Sequence, residues 1–185
     1  MGYAGGTKKQ PTYYHLGDHT ETVQVDFDPT VISYDELLEI FWAGHDPTRQ
    51  AWSRQYMNVI FYHNDEQRRL AEASQAKVAA RSRGPVRTAV LPATDFTLAE
   101  DYHQKYYLRQ AGGLWREVSR FYPKLSDLVN SKAAARLNGY VAGYGSAAQL
   151  EEELPGLGLS PEAAGQLLAR VRARSGEGAA CPVTK

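Results

Sequence analysis

The sequence predicts an α+β fold, because strand-like and helix-like segments alternate in its first half and only helical segments follow. Residues 22–27 alternate polar and apolar side chains, as a half-buried strand does. Residues 65–82 instead form a long polar segment with a helix-capping residue, Asn64, directly before it. Three strands and many helices are expected in all, which is a small sheet for so helical a chain.

The first part of the chain predicts a loop, a strand and a helix in that order. Residues 1–21 are rich in Gly, Tyr, His and Pro and show no periodicity, so we expect a loop there. The strand over 22–27 follows. Ser33 and Glu36 have capping-box spacing, in which each side chain satisfies a free backbone N–H, and they predict a helix that ends near Gly44.

Two more strands are expected, at Val59–Tyr62 and at 86–91, on either side of the helix over 65–82. Residues 48–56 have no regular pattern. Thr97 and Glu100 again have capping-box spacing and predict a helix after them.

The remaining sequence is helical in pattern. The expected elements are segments around 114–121 and 126–140, a helix capped by Ser146 and Gln149, a helix that Pro161 begins, and a loose tail from Gly176. We therefore expect a domain over residues 1–125, a helical extension over 126–175 and a flexible tail over 176–185.

Composition excludes several classes of protein. Hydrophobic residues make up 43% and charged residues 23%, which is ordinary for a globular chain, and 21 basic residues balance 21 acidic ones. A neutral balance argues against a protein built to bind nucleic acid. There is no apolar run long enough to cross a membrane, and the single cysteine excludes an internal disulfide. We expect a cytoplasmic monomer.

Motifs of common enzymes are missing from this sequence. There is no Walker loop, dinucleotide fingerprint or zinc-type Cys/His spacing. His45 with Asp46, or Asp101 with His103, would supply two metal ligands each, but neither pair has an evident third. We therefore predict hydrogen-bonding roles at helix ends for these pairs and no bound metal.

A cluster of polar and aromatic residues near the N-terminus is the strongest candidate site. Its members are Tyr3, Tyr13, Tyr14, His15, Asp18, His19 and Glu21. Tyrosine hydroxyls and a carboxylic acid together polarise an oxygen atom and deliver a proton to it. A carboxyl group among aromatic rings has a raised pKa, because desolvation disfavours its charged form, and can then act as an acid near neutral pH. The alternative is a hydrated surface loop anchored by its tyrosines.

A series of motifs along the chain resembles a known family, the peptide methionine sulfoxide reductases of the A type. The motifs, in order, are Gly2-Tyr3-Ala4-Gly5-Gly6, Pro11-Thr12-Tyr13, Gly17-Asp18-His19-Thr20-Glu21, Phe41-Trp42, His45-Asp46-Pro47-Thr48, Gln55-Tyr56 and Ala99-Glu100-Asp101-Tyr102-His103-Gln104. The resemblance covers about residues 2–110. Each motif is weak alone, and their shared order makes the resemblance specific.

The resemblance implies a sheet sandwich and a reaction. In this family a cysteine thiolate attacks the sulfur of methionine S-sulfoxide, methionine is released and the cysteine becomes a sulfenic acid. By motif, Glu21 resembles the acid that protonates the oxygen, and Tyr13 and Tyr56 resemble the two tyrosines that hydrogen-bond to it. We expect His19, Asp101 and His103 to support the site.

The resemblance also implies the reaction partners. No cofactor is bound, and thioredoxin or another dithiol serves as reductant. The substrates are oxidised methionine in proteins or free methionine sulfoxide.

The sequence departs from the family in two places. The family's nucleophile sits in a Gly-Cys-Phe-Trp-Gly segment upstream of Gly-Tyr-Ala-Gly-Gly, between a first strand and a first helix, and this sequence starts after that point. Secondly, the run Gln50-Ala51-Trp52-Ser53-Arg54-Gln55 is shorter than in many relatives and lacks their aspartate. We therefore expect a chain truncated before the catalytic cysteine. Cys181 is either a resolving thiol or, as we favour, an ordinary tail cysteine.

Three interpretations follow from the sequence. The chain is part of a reductase whose start lies elsewhere, in a longer product or a misassigned gene start. Alternatively, it is a module that binds a sulfoxide or methionine side chain without reducing it. Lastly, it is a fragment that does not fold stably, because a missing strand leaves a sheet edge unpaired.

Overall fold

The computed structural model describes residues 1–175, which divide into a compact unit of Met1–Glu100 and a second unit that begins at Asp101. The strands of the described residues are β1 (Gly2–Ala4), β2 (Thr20–Thr22), β3 (Val59–Tyr62), β4 (Ala89–Pro92) and β5 (Thr97–Leu98). The α-helices there are α1 (Tyr34–Ala43), α2 (Asp65–Arg81), α3 (Tyr106–Arg109), α4 (Gly112–Val118), α5 (Leu125–Asn130), α6 (Lys132–Ala142), α7 (Ala147–Glu153) and α8 (Pro161–Ser175). The α+β class with a helical C-terminal region is confirmed.

The first sheet is antiparallel, with strand order β2-β1-β5. Its central strand is the segment Gly2–Ala4, in which Tyr3 is only 1% exposed. The loop expected over residues 1–21 is therefore wrong at both of its ends. A strand of three residues is too short to show an alternating pattern, and pairing on both sides stabilises it instead.

The strand expected over 22–27 is also wrong. The observed strand β2 ends at Thr22, which pairs with Gly2, the first residue of β1. Residues 23–27 have no regular structure, and Val23 and Val25 are 68% and 59% exposed. The alternation in this segment is therefore not accompanied by strand pairing, and both valines face solvent.

The helix expected after Thr97 and Glu100 starts later and in pieces. Thr97 belongs to β5 and pairs with Tyr3, so its side chain does not cap a helix. A short 3-10 helix, Asp101–His103, comes next, and Lys105 then takes a left-handed conformation with φ of 51° before α3. This backbone turn interrupts the predicted helix.

The second sheet is the parallel pair β3–β4, joined through α2. The predicted strand Val59–Tyr62 is confirmed, whereas the strand expected over 86–91 begins only at Ala89 and runs to Pro92. The caps of the two helices beside it are confirmed. Ser33 and Glu36 form a capping box at α1, and the Asn64 side chain accepts from the backbone N–H of Gln67 at α2.

A small core lies between these two helices and the parallel pair. Leu38, Ile60 and Ala71 are buried there, and the indole Nε1 of Trp42 donates to Ser74 Oγ over 2.9 Å. Burial of such side chains is the main favourable term in folding. This part of the chain therefore forms a packed framework.

The second unit has a larger core, made by its helices. Leu108, Leu137, Leu150 and Val171 are among its buried residues. The single helix expected over 126–140 is two helices, α5 and α6, because the Ser131 side chain accepts from the backbone N–H of Ala134 and begins a new one. The predicted starts of α7 and α8 are confirmed.

The tail expected from Gly176, with Cys181, lies outside the described residues. Within residues 1–175, the helices lack the length and apolar character that crossing a bilayer requires.

Candidate active site

Glu21 is the carboxylate of the candidate site, and the first sheet holds it in place. It is the middle residue of β2, pairs with Tyr3 of β1 and is half-buried. The side-chain amide of Gln55 donates to its Oε1 atom over 2.7 Å. A strand residue with a side-chain partner is well fixed, so the position of this carboxylate is defined by both backbone and side chain.

The 3-10 helix Arg54–Tyr56 brings Gln55 and Tyr56 to this carboxylate. Two hydrogen bonds attach the short helix to the first sheet. The Thr20 hydroxyl donates to the Arg54 carbonyl over 3.0 Å, and Arg54 Nη2 donates to the Gly5 carbonyl over 2.8 Å. Residues 48–56 were expected to be irregular, whereas the structure has a 3-10 helix at Arg54–Tyr56 that these two contacts hold in place.

Tyr13 and Tyr56 face each other beside Glu21. Their hydroxyl oxygens lie 3.4 Å apart, and the Gln55 amide donates to the Tyr56 hydroxyl over 3.0 Å. The hydrogen bond with Tyr13, together with desolvation and the negative charge of Glu21, raises the pKa of Tyr56 to about 12. Tyr56 therefore stays protonated over the physiological pH range and keeps its O–H as a donor.

Glu100 positions Tyr13 within this cluster. Its Oε1 atom accepts from the backbone N–H of Tyr13 over 3.0 Å, and its Oε2 atom accepts from the Tyr3 hydroxyl over 2.6 Å. Sequence reasoning assigned Glu100 to a helix cap and missed this role. The sequence signal for it was its place in the motif Ala99-Glu100-Asp101-Tyr102-His103-Gln104, since 87 residues separate Glu100 from Tyr13.

His19 and Asp18 hold the loop that leads into β2. His19 is 3% exposed, accepts from the Gly6 N–H at Nδ1 over 3.3 Å and lies 2.8 Å from the Lys8 carbonyl through Nε2. These partners select the neutral tautomer with the proton on Nε2, which donates to the carbonyl. The predicted supporting residue His19 therefore contacts the loop backbone.

Asp18 accepts several hydrogen bonds at the start of the same loop. The backbone N–H groups of Thr7 and Lys8 donate to its carboxylate over 2.8 Å and 3.2 Å. These two bonds, with a further one from the Thr7 hydroxyl, lower the pKa of Asp18 to about 2. The carboxylate is therefore ionised and closes the loop.

Two adjacent glycines, Gly5 and Gly6, allow this tight loop to pack against neighbouring rings without a steric clash. Gly5 has a φ of 77°, and a Cβ atom at this residue would lie 2.5 Å from the ring of Phe61. A Cβ atom at Gly6 would lie 2.6 Å from the ring of His19. Larger residues at either position would push the loop away from its partners.

The other predicted site residues lie elsewhere. Asp101 and His103 belong to the 3-10 helix that opens the second unit, and their supporting role stays a prediction. His45 contacts the Phe41 carbonyl and the Thr88 hydroxyl through its two ring nitrogens, over 2.9 Å and 2.8 Å. Within residues 1–175, no group of three His, Cys, Asp or Glu side chains is arranged to hold a metal ion.

The arrangement defines what the cluster can do chemically. A carboxyl group, two phenols and an amide converge from the first sheet, its loop and the 3-10 helix. Two hydroxyls 3.4 Å apart can both donate to one oxygen atom placed beside them, since O–H···O bonds span about 2.5–3.0 Å. The arrangement can therefore present two hydroxyl donors and a carboxyl group to one oxygen atom.

Comparison with known proteins gives this chemistry a family. The family model described as peptide methionine sulfoxide reductase matches residues 1–136, and the model of a selenoprotein methionine sulfoxide reductase A helical domain matches residues 125–165. The chain therefore belongs to the peptide methionine sulfoxide reductase family, an enzyme family of the oxidoreductase class.

Two relatives by sequence agree with the family assignment. A peptide methionine sulfoxide reductase of Drosophila melanogaster is 40% identical over 184 residues, which cover 98% of this chain and 73% of that protein. The reductase MsrA of Methanococcus maripaludis is 44% identical over 119 residues, 60% of this chain and 76% of that protein. The structure of Mxr1 from Saccharomyces cerevisiae in an oxidised form covers 62% of this chain and 66% of that one, with a TM-score of 0.47 and 27% identity.

Proposed function

We propose that this chain binds methionine S-sulfoxide at the cluster of Glu21, Tyr13 and Tyr56, and takes part in its reduction to methionine. The observation that carries the proposal is a connected cluster: the Gln55 amide donates to both Glu21 and Tyr56, and the Tyr13 hydroxyl lies 3.4 Å from the Tyr56 hydroxyl. Membership of the reductase family supports the choice of substrate.

In the proposed reaction the two tyrosine hydroxyls donate to the sulfoxide oxygen, and Glu21 supplies a proton to it. Both hydroxyls lie within reach of one oxygen, and the raised pKa of Tyr56 keeps its proton available. The hydrogen bond from Gln55 orients the carboxyl group of Glu21. Protonation makes the oxygen a better leaving group when the sulfur–oxygen bond breaks.

Reduction also needs two electrons, which neither a carboxylate nor a phenol supplies. A thiolate supplies them: its sulfur attacks the sulfoxide, the sulfur–oxygen bond of the substrate breaks, and the oxygen passes with its proton to the attacking sulfur. Methionine is released and the thiolate becomes a sulfenic acid. A dithiol such as thioredoxin then restores the thiol and releases water. Residues 1–175, which the structure describes, contain no cysteine, and Cys181 is the one cysteine of the sequence.

A second candidate function follows from that observation. A site with oxygen-directed donors but without a thiol binds the sulfoxide and does not reduce it. We therefore expect the 185-residue chain by itself to bind methionine S-sulfoxide without turnover, and reduction to require a thiol that joins the cluster.

Two measurements on the purified chain test these proposals. Binding is measured by calorimetry with N-acetyl-methioninamide S-sulfoxide, the R diastereomer and the unoxidised compound. We expect preference for the S-sulfoxide, lost in Glu21→Gln and weakened in Tyr56→Phe, while the exposed control Glu39→Gln binds normally. Equal binding of the sulfoxide and the unoxidised compound would contradict the proposed site.

Turnover is measured as methionine released from the S-sulfoxide in the presence of dithiothreitol. We expect none. Turnover that Cys181→Ser abolished would assign the nucleophile to Cys181, and turnover that this variant kept would contradict the role given to a cysteine thiol.

The domain limits are part of the same proposal. We propose a reductase-type domain over 1–125 with a helical extension over 126–175, which the match of a helical-domain model to residues 125–165 supports. Proteins with oxidised methionine, or the free sulfoxide, are the proposed substrates.

A further inference from the structure

A pocket rich in arginine lies next to the proposed sulfoxide site, in the first unit. Its volume is about 350 Å³. The polar side chains of its lining are Arg49, Gln50, Ser53, Arg54, Asn58 and Arg87, and no acidic residue lines it. Because the whole chain has no net charge, the positive charge of this pocket is a local feature.

The guanidinium groups of the pocket have N–H donors available for a ligand. Arg54 uses one nitrogen to reach the Gly5 carbonyl, and a guanidinium carries five N–H donors. Among residues 1–175, neither Arg49 nor Arg87 has a carboxylate partner within 4.0 Å. The carboxylate of Asp46 accepts its hydrogen bonds from Thr48, which lower its pKa. The positive charge of Arg49 lowers this pKa to a smaller extent, without a direct ion pair.

Ser53 adds an independent sign that the pocket takes a polar ligand. Its Oγ atom is buried and forms no hydrogen bond within the described residues. A buried hydroxyl without a partner costs about 1–3 kcal/mol. Because Ser53 lines the pocket, rotation of its side chain toward a bound carboxylate would give this hydroxyl an acceptor, while the guanidinium groups would neutralise the charge of the carboxylate.

The pocket shares a structural element with the sulfoxide site. Arg54 and Tyr56 belong to the same 3-10 helix, and Ser53 is its N-terminal cap residue. A 3-10 helix rises about 2 Å per residue, so Ser53 and Tyr56 are separated by roughly 6 Å along the axis. A peptide side chain one or two residues from the sulfoxide is the closest group to such a neighbouring pocket, since extended peptide spans about 3.3–3.6 Å per residue.

We propose that this pocket is a carboxylate subsite, which rests on the proposed function of the neighbouring cluster. It receives a carboxylate of the molecule that carries the sulfoxide, either the side chain of an Asp or Glu one or two residues away or the α-carboxylate of the free amino acid. Arginine suits this ligand, because its planar fork matches the two oxygens of a carboxylate.

The test is calorimetric binding of capped peptides to the full chain. Three peptides carry methionine S-sulfoxide followed two residues later by Glu, Gln or Lys, and each has an unoxidised counterpart. Free methionine S-sulfoxide and its N-acetyl amide form a further pair. We expect the Glu peptide to bind about three- to tenfold more tightly than the Gln peptide, and salt to reduce this preference.

Variants of Arg49 and Arg87 connect the preference to the pocket. Arg87→Gln and Arg49→Gln should each lower the Glu-to-Gln ratio toward one and leave the affinity of the Gln peptide unchanged. Arg87→Glu should shift the preference to the Lys peptide, a gain that a misfolded variant would not show. Arg83→Gln, an exposed arginine outside the lining, is the matched control. Arg54 is not varied because it holds the Gly5 loop.

The outcomes separate the two proposals. A Glu preference in both oxidised and unoxidised peptides supports the subsite even if the sulfoxide itself adds no affinity, which would contradict the proposed function alone. A preference for the free sulfoxide over its N-acetyl amide, abolished by Arg87→Gln, supports the subsite with the α-carboxylate as its ligand. Sulfoxide binding with neither preference overturns the subsite alone, and no binding of any compound overturns both.

Discussion

The side-chain amide of Gln55 donates to Glu21 Oε1 over 2.7 Å, and the same nitrogen lies 3.0 Å from the Tyr56 hydroxyl. One amide group therefore fixes the distance between the proposed acid and one of the proposed tyrosines. Gln55 and Tyr56 are adjacent in the same 3-10 helix. The hydrogen bond from Gln55 to Glu21 therefore also helps to position Tyr56 beside Glu21.

Replacing Gln55 tests this link. Gln55→Ala should weaken binding of methionine S-sulfoxide about two- to tenfold, because the amide orients Glu21 and a typical hydrogen bond contributes about 0.5–1.5 kcal/mol. Calorimetry measures the change, with the exposed Gln24→Ala as control. Unchanged affinity would mean that Glu21 is oriented without the amide.

The buried hydroxyl of Tyr3 stabilises the position of Glu100. Tyr3→Phe removes a 2.6 Å hydrogen bond to its carboxylate and should lower the free energy of unfolding of the first unit by about 1–3 kcal/mol. Urea denaturation measures this, and amide exchange of Tyr13 should speed up, since the same carboxylate accepts from its N–H. Tyr14→Phe, at an 83% exposed residue, serves as control and should change neither quantity.

The loop closed by Asp18 should open in acid. Its pKa in the folded chain is about 2, below the ordinary value of 3.8, so its contribution to stability is present above pH 3.8 and is lost as the pH falls toward 2. The amide protons of Thr7 and Lys8 should therefore shift and exchange faster over this range. Asp18→Asn should remove the pH dependence, whereas Asp26→Asn should retain it. Amide signals that stay constant between pH 4 and pH 2 would argue against this role.

Ser131 decides where the predicted long helix of the second unit divides. Ser131→Ala removes the cap that accepts from the Ala134 N–H and a 2.6 Å contact with the Tyr122 hydroxyl. The free energy of unfolding of the second unit should fall by about 1 kcal/mol, as is typical when an N-cap residue is replaced by alanine. Hydrogen exchange of the first amides of α6 reports it directly, and Ser126→Ala, exposed in α5, is the control. Equal exchange in the two variants would show that the cap is dispensable.

Much of the helical structure followed from local sequence signals. Ser33, Asn64 and Ser146 begin the helices that their spacing predicts, because a cap and its partner lie within three residues of each other. The strands were harder to predict. Gly2–Ala4 shows no periodicity and yet forms the central strand of a sheet. Val23 and Val25 alternate with polar residues and yet belong to no strand. The limits of the strands therefore depended on which segments pair in the folded chain.

The candidate site divides in the same way. Glu21, Tyr13 and Tyr56 were selected by motif, and the structure brings them together, although their roles stay proposals. Glu100 was wrongly assigned to a helix cap because its spacing from Thr97 fits a capping box. In the structure its carboxylate instead accepts a hydrogen bond from Tyr3, 97 residues away. The arginine pocket was not predicted at all, because Arg87 is far from Arg49 and Arg54 in the sequence and lines the same pocket in a fold where β4 pairs with β3.

The sequence by itself determined the family, the starts of several helices and the residue types of the candidate site, since these depend on contacts within a few positions or on ordered motifs. Only the tertiary structure decided which carboxylate orients which tyrosine, where the strands end and which charges share a pocket. The physical reason is that hydrogen bonds and ion pairs between distant residues form only when packing brings their atoms within about 3–4 Å, a distance that sequence spacing does not encode.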